Sequence, residues 1–113
     1  MTAGTAAVPG APRGTLPLTV RRGVLLFERA GYEALFGRAG AVVLLREGVD
    51  LLVVPLHEAA VGGHLVKLRN AAGDRAIDAL DLLRDHPAGD GEHPWHGAWD
   101  DERGALRIAA IFA

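Results

Sequence analysis

The sequence contains no serine, no cysteine and no glutamine, and only one asparagine (Asn70) and one lysine (Lys67). Without cysteine there is no disulfide framework and no thiolate metal site. A histidine-assisted serine or cysteine nucleophile is excluded by composition, and a Walker-type phosphate loop lacks its Gly-Lys-Ser/Thr. The remaining hydroxyls are Tyr32 and four threonines near the start of the chain, Thr2, Thr5, Thr15 and Thr19. Aromatic residues are few (Phe27, Tyr32, Phe36, Trp95, Trp99 and Phe112), so Leu, Val, Ile and Ala must fill the core. No apolar run approaches the roughly 20 residues that span a bilayer, so no membrane partner is expected. The first ten residues lack the basic and apolar regions of a secretory signal, and the cytoplasm is the expected location.

What is present fits one globular domain. The chain has 113 residues, 50% of them apolar, enough for a single core that an associating surface would enlarge. Residues 1–16, rich in Ala, Gly, Pro and Thr, read as a flexible tail, and 17–113 as the domain. The net charge of −2 is unevenly spread: residues 1–75 carry a balance of +3 (9 Arg/Lys, 6 Asp/Glu) and residues 76–113 one of −5 (3 Arg, 8 Asp/Glu). Such asymmetry suggests an acidic part facing a basic surface on a sister subunit or partner.

Along the chain, Leu18 to Phe27 reads as a strand, with a bulge or tight turn at Arg22-Gly23. Glu28 to Gly37 suits a short helix. Ala41–Leu45 and Leu51–Leu56 read as a hairpin across Glu47-Gly48-Val49-Asp50, with Pro55 at a sheet edge. Leu65–Arg69 alternates as a half-buried strand. Asp74 then caps a second helix from Arg75 to about His86, stopped by Pro87. A polar loop over 87–97 leads to a second hairpin, Trp99 to Phe112, turning at Asp101-Glu102-Arg103-Gly104. The expected fold is α+β: a mostly antiparallel sheet from two hairpins with two helices on one side, in the order β-α-β-β-β-α-β-β.

Two constellations could carry function. Asp74, Asp78, Asp81 and Asp85 are spaced 4, 3 and 4 residues apart. On the expected helix they project within roughly 40° of one another, an acidic line whose repulsion a cationic partner would relieve. The alternative is an ordinary solvated helix face. The segment His86 to His96 holds His86, Asp90, Glu92, His93 and His96, which could ligate a divalent metal, though it matches no established metal signature and also reads as a plain polar loop. These histidines, with Asp90 and Glu92, are also the only suitable general acids or bases. His57 and His64 flank Gly62-Gly63 and read as loop anchors. Trp99 is expected in the core and Trp95 partly exposed, where it could anchor an interface. Arg21, Arg22, Lys67 and Arg69 could form a basic patch.

The composition therefore points to a small non-enzymatic module that docks to a partner or to itself as a homo-oligomer. Asp74, Asp78, Asp81, Asp85 and Trp95 would meet Arg21, Arg22, Lys67 and Arg69 of another chain, with no cofactor. A metal-dependent enzyme or metal-binding protein using the 86–96 segment is the alternative. A DNA-binding regulator is third, because the chain is net acidic and carries no nucleic-acid reading motif.

Overall fold

The computed structural model describes residues 14–56 and 63–113. Eight strands form: β1 (Thr15–Arg21), β2 (Val24–Phe27), β3 (Ala41–Glu47), β4 (Asp50–Leu56), β5 (His64–Leu68), β6 (Arg75–Asp78), β7 (Glu92–Asp100) and β8 (Ala105–Ile108). Every pairing is antiparallel, and the strands close into a barrel in the order β1-β2-β6-β5-β3-β4-β8-β7. The expected α+β sheet with two helices on one side is thus overturned. Of the helices, α1 (Arg29–Phe36) has eight residues and α2 (Leu80–Leu83) only four, followed by a 3₁₀ turn at Pro87–Gly89.

Two errors of reading account for the difference. Residues 75–86, expected as one helix, divide into β6 and α2. Ile77 faces the core while Asp78 is exposed, and β6 is clamped between β2 and β5 (Leu25 and Val66 both lie opposite Ile77). Ladder bonds on both sides outweigh a helical apolar spacing only four residues long. The 87–97 segment, expected as a loop, supplies most of β7, which pairs with β1 along seven residues.

The expected first strand is a tight hairpin. Arg22 (φ 50°) and Gly23 (φ 80°) both take positive φ, the signature of a type I′ turn. The β3–β4 turn differs: Gly48 is at φ 62° and Val49 is not positive, a type II′ turn.

Strand prolines mark where the ladders stop. The β3–β4 register points the amide positions of Leu51, Val53 and Pro55 toward β8, whose pairing ends opposite Val53. Likewise Pro17 points toward β2, which pairs only from Thr19, and Pro94 toward β8, which reaches only Gly97. No donor is missed at any of the three.

Inward residues fill the barrel: Leu16, Leu18 and Val20 of β1, Leu25 and Phe27 of β2, Val42 and Leu44 of β3, Leu51 and Val53 of β4, Ile77, Leu106 and Ile108. Eight strands leave an interior that side chains can fill. One mouth is closed by α1, whose Tyr32 and Phe36 pack with Phe27 at ring separations of 4.7–6.0 Å. The Tyr32 hydroxyl donates to the Ala39 carbonyl at 2.5 Å. The other mouth is closed by Leu83, Ala88, Ile111 and Phe112. Among the described residues no helix is long and apolar enough to cross a membrane.

Candidate functional site

The outer face of an antiparallel sheet ordinarily carries polar side chains. On β3 and β4 it does not. The register sets Ala41 opposite Leu56, Val43 opposite Val54 and Leu45 opposite Leu52, all outward, and β5 adds Leu65 opposite Ala41. Leu45 is 49% and Leu65 68% exposed, whereas Leu52, between Leu45 and Arg107 in register, is buried. The result is an apolar ladder on the outside of the barrel, which the sequence could not separate from inward positions because both parities of these strands are apolar.

The ladder ends at a charged cluster. Arg107 donates to Asp100 and Glu47 at 2.8 Å and to Asp50 at 2.9 Å, and Arg103 meets Glu47 at 2.8 Å. Asp50 also accepts from the Ala110 N–H at 2.8 Å, which with Arg107 holds its carboxyl below the usual range. Asp100 is held low by Arg107 and the Arg103 N–H, while Arg107 itself is held charged. The cluster fastens the β3–β4 turn, the β7–β8 hairpin and the C-terminal turn together.

The four aspartates expected on one helix face are dispersed. Asp74 precedes β6 and caps α1 instead, accepting from the Arg29 N–H at 2.9 Å and from Asn70 at 3.0 Å, contacts that depress its pKa. Asp78 ends β6 and accepts from the Leu80 N–H at 3.0 Å. Asp81 pairs with Arg84 at 3.6 Å, and Asp85 lies exposed beyond α2. No single acidic line forms.

The basic residues are split as well. Arg21 and Arg22 stand at the β1–β2 turn, where Arg21 meets Glu92 at 3.6 Å. Lys67 is exposed on β5, and Arg69, whose N–H donates to the Asp74 carbonyl, stands at the α1 end of the barrel. There Arg69 borders a concavity of about 260 Å³ with Pro17, Thr19, Leu26 and Pro94.

The proposed metal ligands separate by strand parity. Glu92 and His96 lie on the outer parity of β7, His93 and Trp95 on the inner, and Asp90 is exposed beside the 3₁₀ turn. Among the described residues no three His, Asp or Glu side chains are grouped as ligands would be. His86 and His93 do share a concavity of about 210 Å³ at the α2 end, walled by Trp95, Pro87, Ala110 and Ile111. His64 is half-buried opposite Val42, and His57 lies outside the described residues. Trp99 packs edge-on to Phe36 at 6.0 Å, and both tryptophans are partly buried against the core.

The chain matches no protein-family model, no curated protein and no solved structure.

Proposed function

We propose that this chain is a non-enzymatic docking module, and that the contact surface is the apolar outer ladder of β3, β4 and β5. One observation carries the reading: the outward positions from Ala41 to Leu45 and from Leu52 to Leu56 are all apolar, in cross-strand register, on the water side of a filled barrel. Isolated exposed leucines such as Leu45 and Leu65 are ordinary, but here half-buried Ala41, Val43, Val54 and Leu56 link them into one uninterrupted apolar strip, the kind of sheet face that is covered in use.

The occupant assigned is a second copy of the chain. A two-fold contact places the same ladder against itself, apolar against apolar, with the Arg107 cluster at its edge supplying a polar rim. For a barrel this small the added burial is a substantial share of its core. This reading moves the interface from the charged residues expected from the sequence to a face whose central rungs, from Ala41 to Leu45 and from Leu52 to Leu56, carry no charge, with Lys67 and the Arg107 cluster at its borders. The compartment it assigns is the cytoplasm, in keeping with a sequence without cysteine.

Sedimentation velocity over a concentration series tests it. The expected outcome is reversible dimerisation at micromolar concentration, abolished in Leu45→Asp/Leu65→Asp, whose substitutions sit at exposed positions and leave the fold intact by circular dichroism. A chain that stays monomeric at hundreds of micromolar, or a double variant that associates like wild type, overturns the reading.

A further inference from the structure

The two flanks of the β3–β4 ladder carry opposite charges. On the β5 side the outward positions after Leu65 are Lys67, exposed on its strand, and Arg69 beyond it, whose charge is partly offset by Asp74. On the β8 side stands the β7–β8 turn, Asp101-Glu102-Arg103-Gly104, with all four residues exposed. Arg103 and Arg107 add no free cation there, because Glu47, Asp50 and Asp100 engage them both. Among the described residues Lys67, Asp101 and Glu102 make no ion pair.

Both flanks stand toward the same end of the ladder. Leu65 lies opposite Ala41, which lies opposite Leu56, and Lys67 is two residues past that rung. Strand β8 begins one residue before Leu106, which is opposite Val53, so the turn before it also stands toward Leu56.

This placement distinguishes the ways in which two copies can meet. For two sheet faces packed with their strands aligned, a two-fold axis lies in the contact plane, either across the strands or along them. An axis across the strands exchanges the ends and keeps the flanks, with β5 over β5 and β8 over β8. Lys67 is then far from the turn of the other copy. An axis along the strands keeps the ends and exchanges the flanks. It lays β3 over β4 and β5 over β8, and brings each Lys67 above Asp101 and Glu102 of the other copy. A barrel surface falls away on both sides of its line of contact, and long side chains such as Lys67 and Glu102 suit that widening gap.

We infer that the second copy docks about a two-fold axis running along β3 and β4, with Val43 and Val54 at its centre and Lys67 paired with Asp101 and Glu102 on both flanks. This rests on the ladder being the dimer face, and adds which way the two copies are turned.

Sedimentation velocity of Lys67→Glu, of Asp101→Lys/Glu102→Lys and of their equimolar mixture tests it. All three positions are exposed, and circular dichroism checks that each variant folds. By symmetry each reversal turns two attractions into two repulsions, so each variant alone should dimerise about tenfold more weakly than wild type. In the mixed dimer each flank again joins opposite charges, and the affinity should return to near the wild-type value.

Variants that dimerise like wild type, or a mixture no tighter than its components, overturn this orientation and leave the ladder as the dimer face. A wild-type chain that stays monomeric at hundreds of micromolar overturns both.

Discussion

Arg107 illustrates how much one residue can organise. It gathers Glu47 and Asp50 from the two sides of the β3–β4 turn and Asp100 from the end of β7, and none of these partners could be read from spacing in the sequence. The consequence for stability has a definite sign. Glu33 is held low chiefly by the bond from Arg75, Asp50 by the Ala110 N–H, Asp74 by Asn70 and Asp100 by Arg107. Their folded pKa values lie below the unfolded ones, so their contribution is complete above the ordinary carboxylate range and is lost as the pH falls through the folded values. Thermal melts should therefore show Tm steady above about pH 5 and falling toward about pH 2, with a shallower acid slope in Asp50→Asn/Asp100→Asn. A Tm that holds in acid contradicts this. Tyr32 has the opposite dependence: burial pushes its pKa to about 12, so its share of stability is lost only as alkali rises past the unfolded value near 10. Backbone strain gives another prediction at this scale. Ala110 sits at φ 60°, and Ala110→Gly should raise stability by about 0.5–1 kcal/mol in urea unfolding, the relief of left-handed strain less the added chain entropy.

At the scale of elements, the sequence disclosed what local chemistry controls and hid what pairing controls. Helix α1, the β3–β4 hairpin, β5 and β8 were legible because their apolar spacing and turn residues agree. The Arg22-Gly23 reversal was legible as a turn or bulge, yet not as the end of one strand and the start of another. Strand β6 was misread because Ala76, Ile77, Ala79, Leu80 and Leu83 fit a helical period, and four residues cannot distinguish two periods. Strand β7 was hidden by Gly91, Pro94 and three histidines close by, all loop-forming in isolation. Its proline is tolerated only because β8 stops short of it, a fact of register. The strand assignment of β6 makes Ile77 a barrel-core residue with no exposed surface. Ile77→Ala should cost about 2–5 kcal/mol by denaturant titration. A loss under about 1 kcal/mol would mean that Ile77 is not packed where the barrel puts it.

At the scale of the whole molecule, the closed barrel leaves few places for function. Its interior is filled by side chains, and no polar or charged residue is buried among those described. What remains is the outside and the mouths. The charge asymmetry of the sequence, which suggested complementary acidic and basic faces, is not gathered into two faces by the fold: Arg21 and Arg22 stand at the β1–β2 turn with Arg21 on Glu92, Lys67 lies on β5, and the four aspartates are dispersed. The apolar ladder on β3, β4 and β5 survives as a coherent surface. It was invisible beforehand because an apolar strand flanked by apolar strands reads as buried on both faces.

Methyl NMR with a soluble paramagnetic agent, recorded at low and high protein concentration, tests that ladder most directly. If the ladder docks with its copy, the Leu45 and Leu65 methyls lose most of their solvent relaxation on concentration, while Leu80, exposed on α2, keeps it. Relaxation of Leu45 and Leu65 that stays unchanged, or that falls equally at Leu80, would contradict a specific docking face.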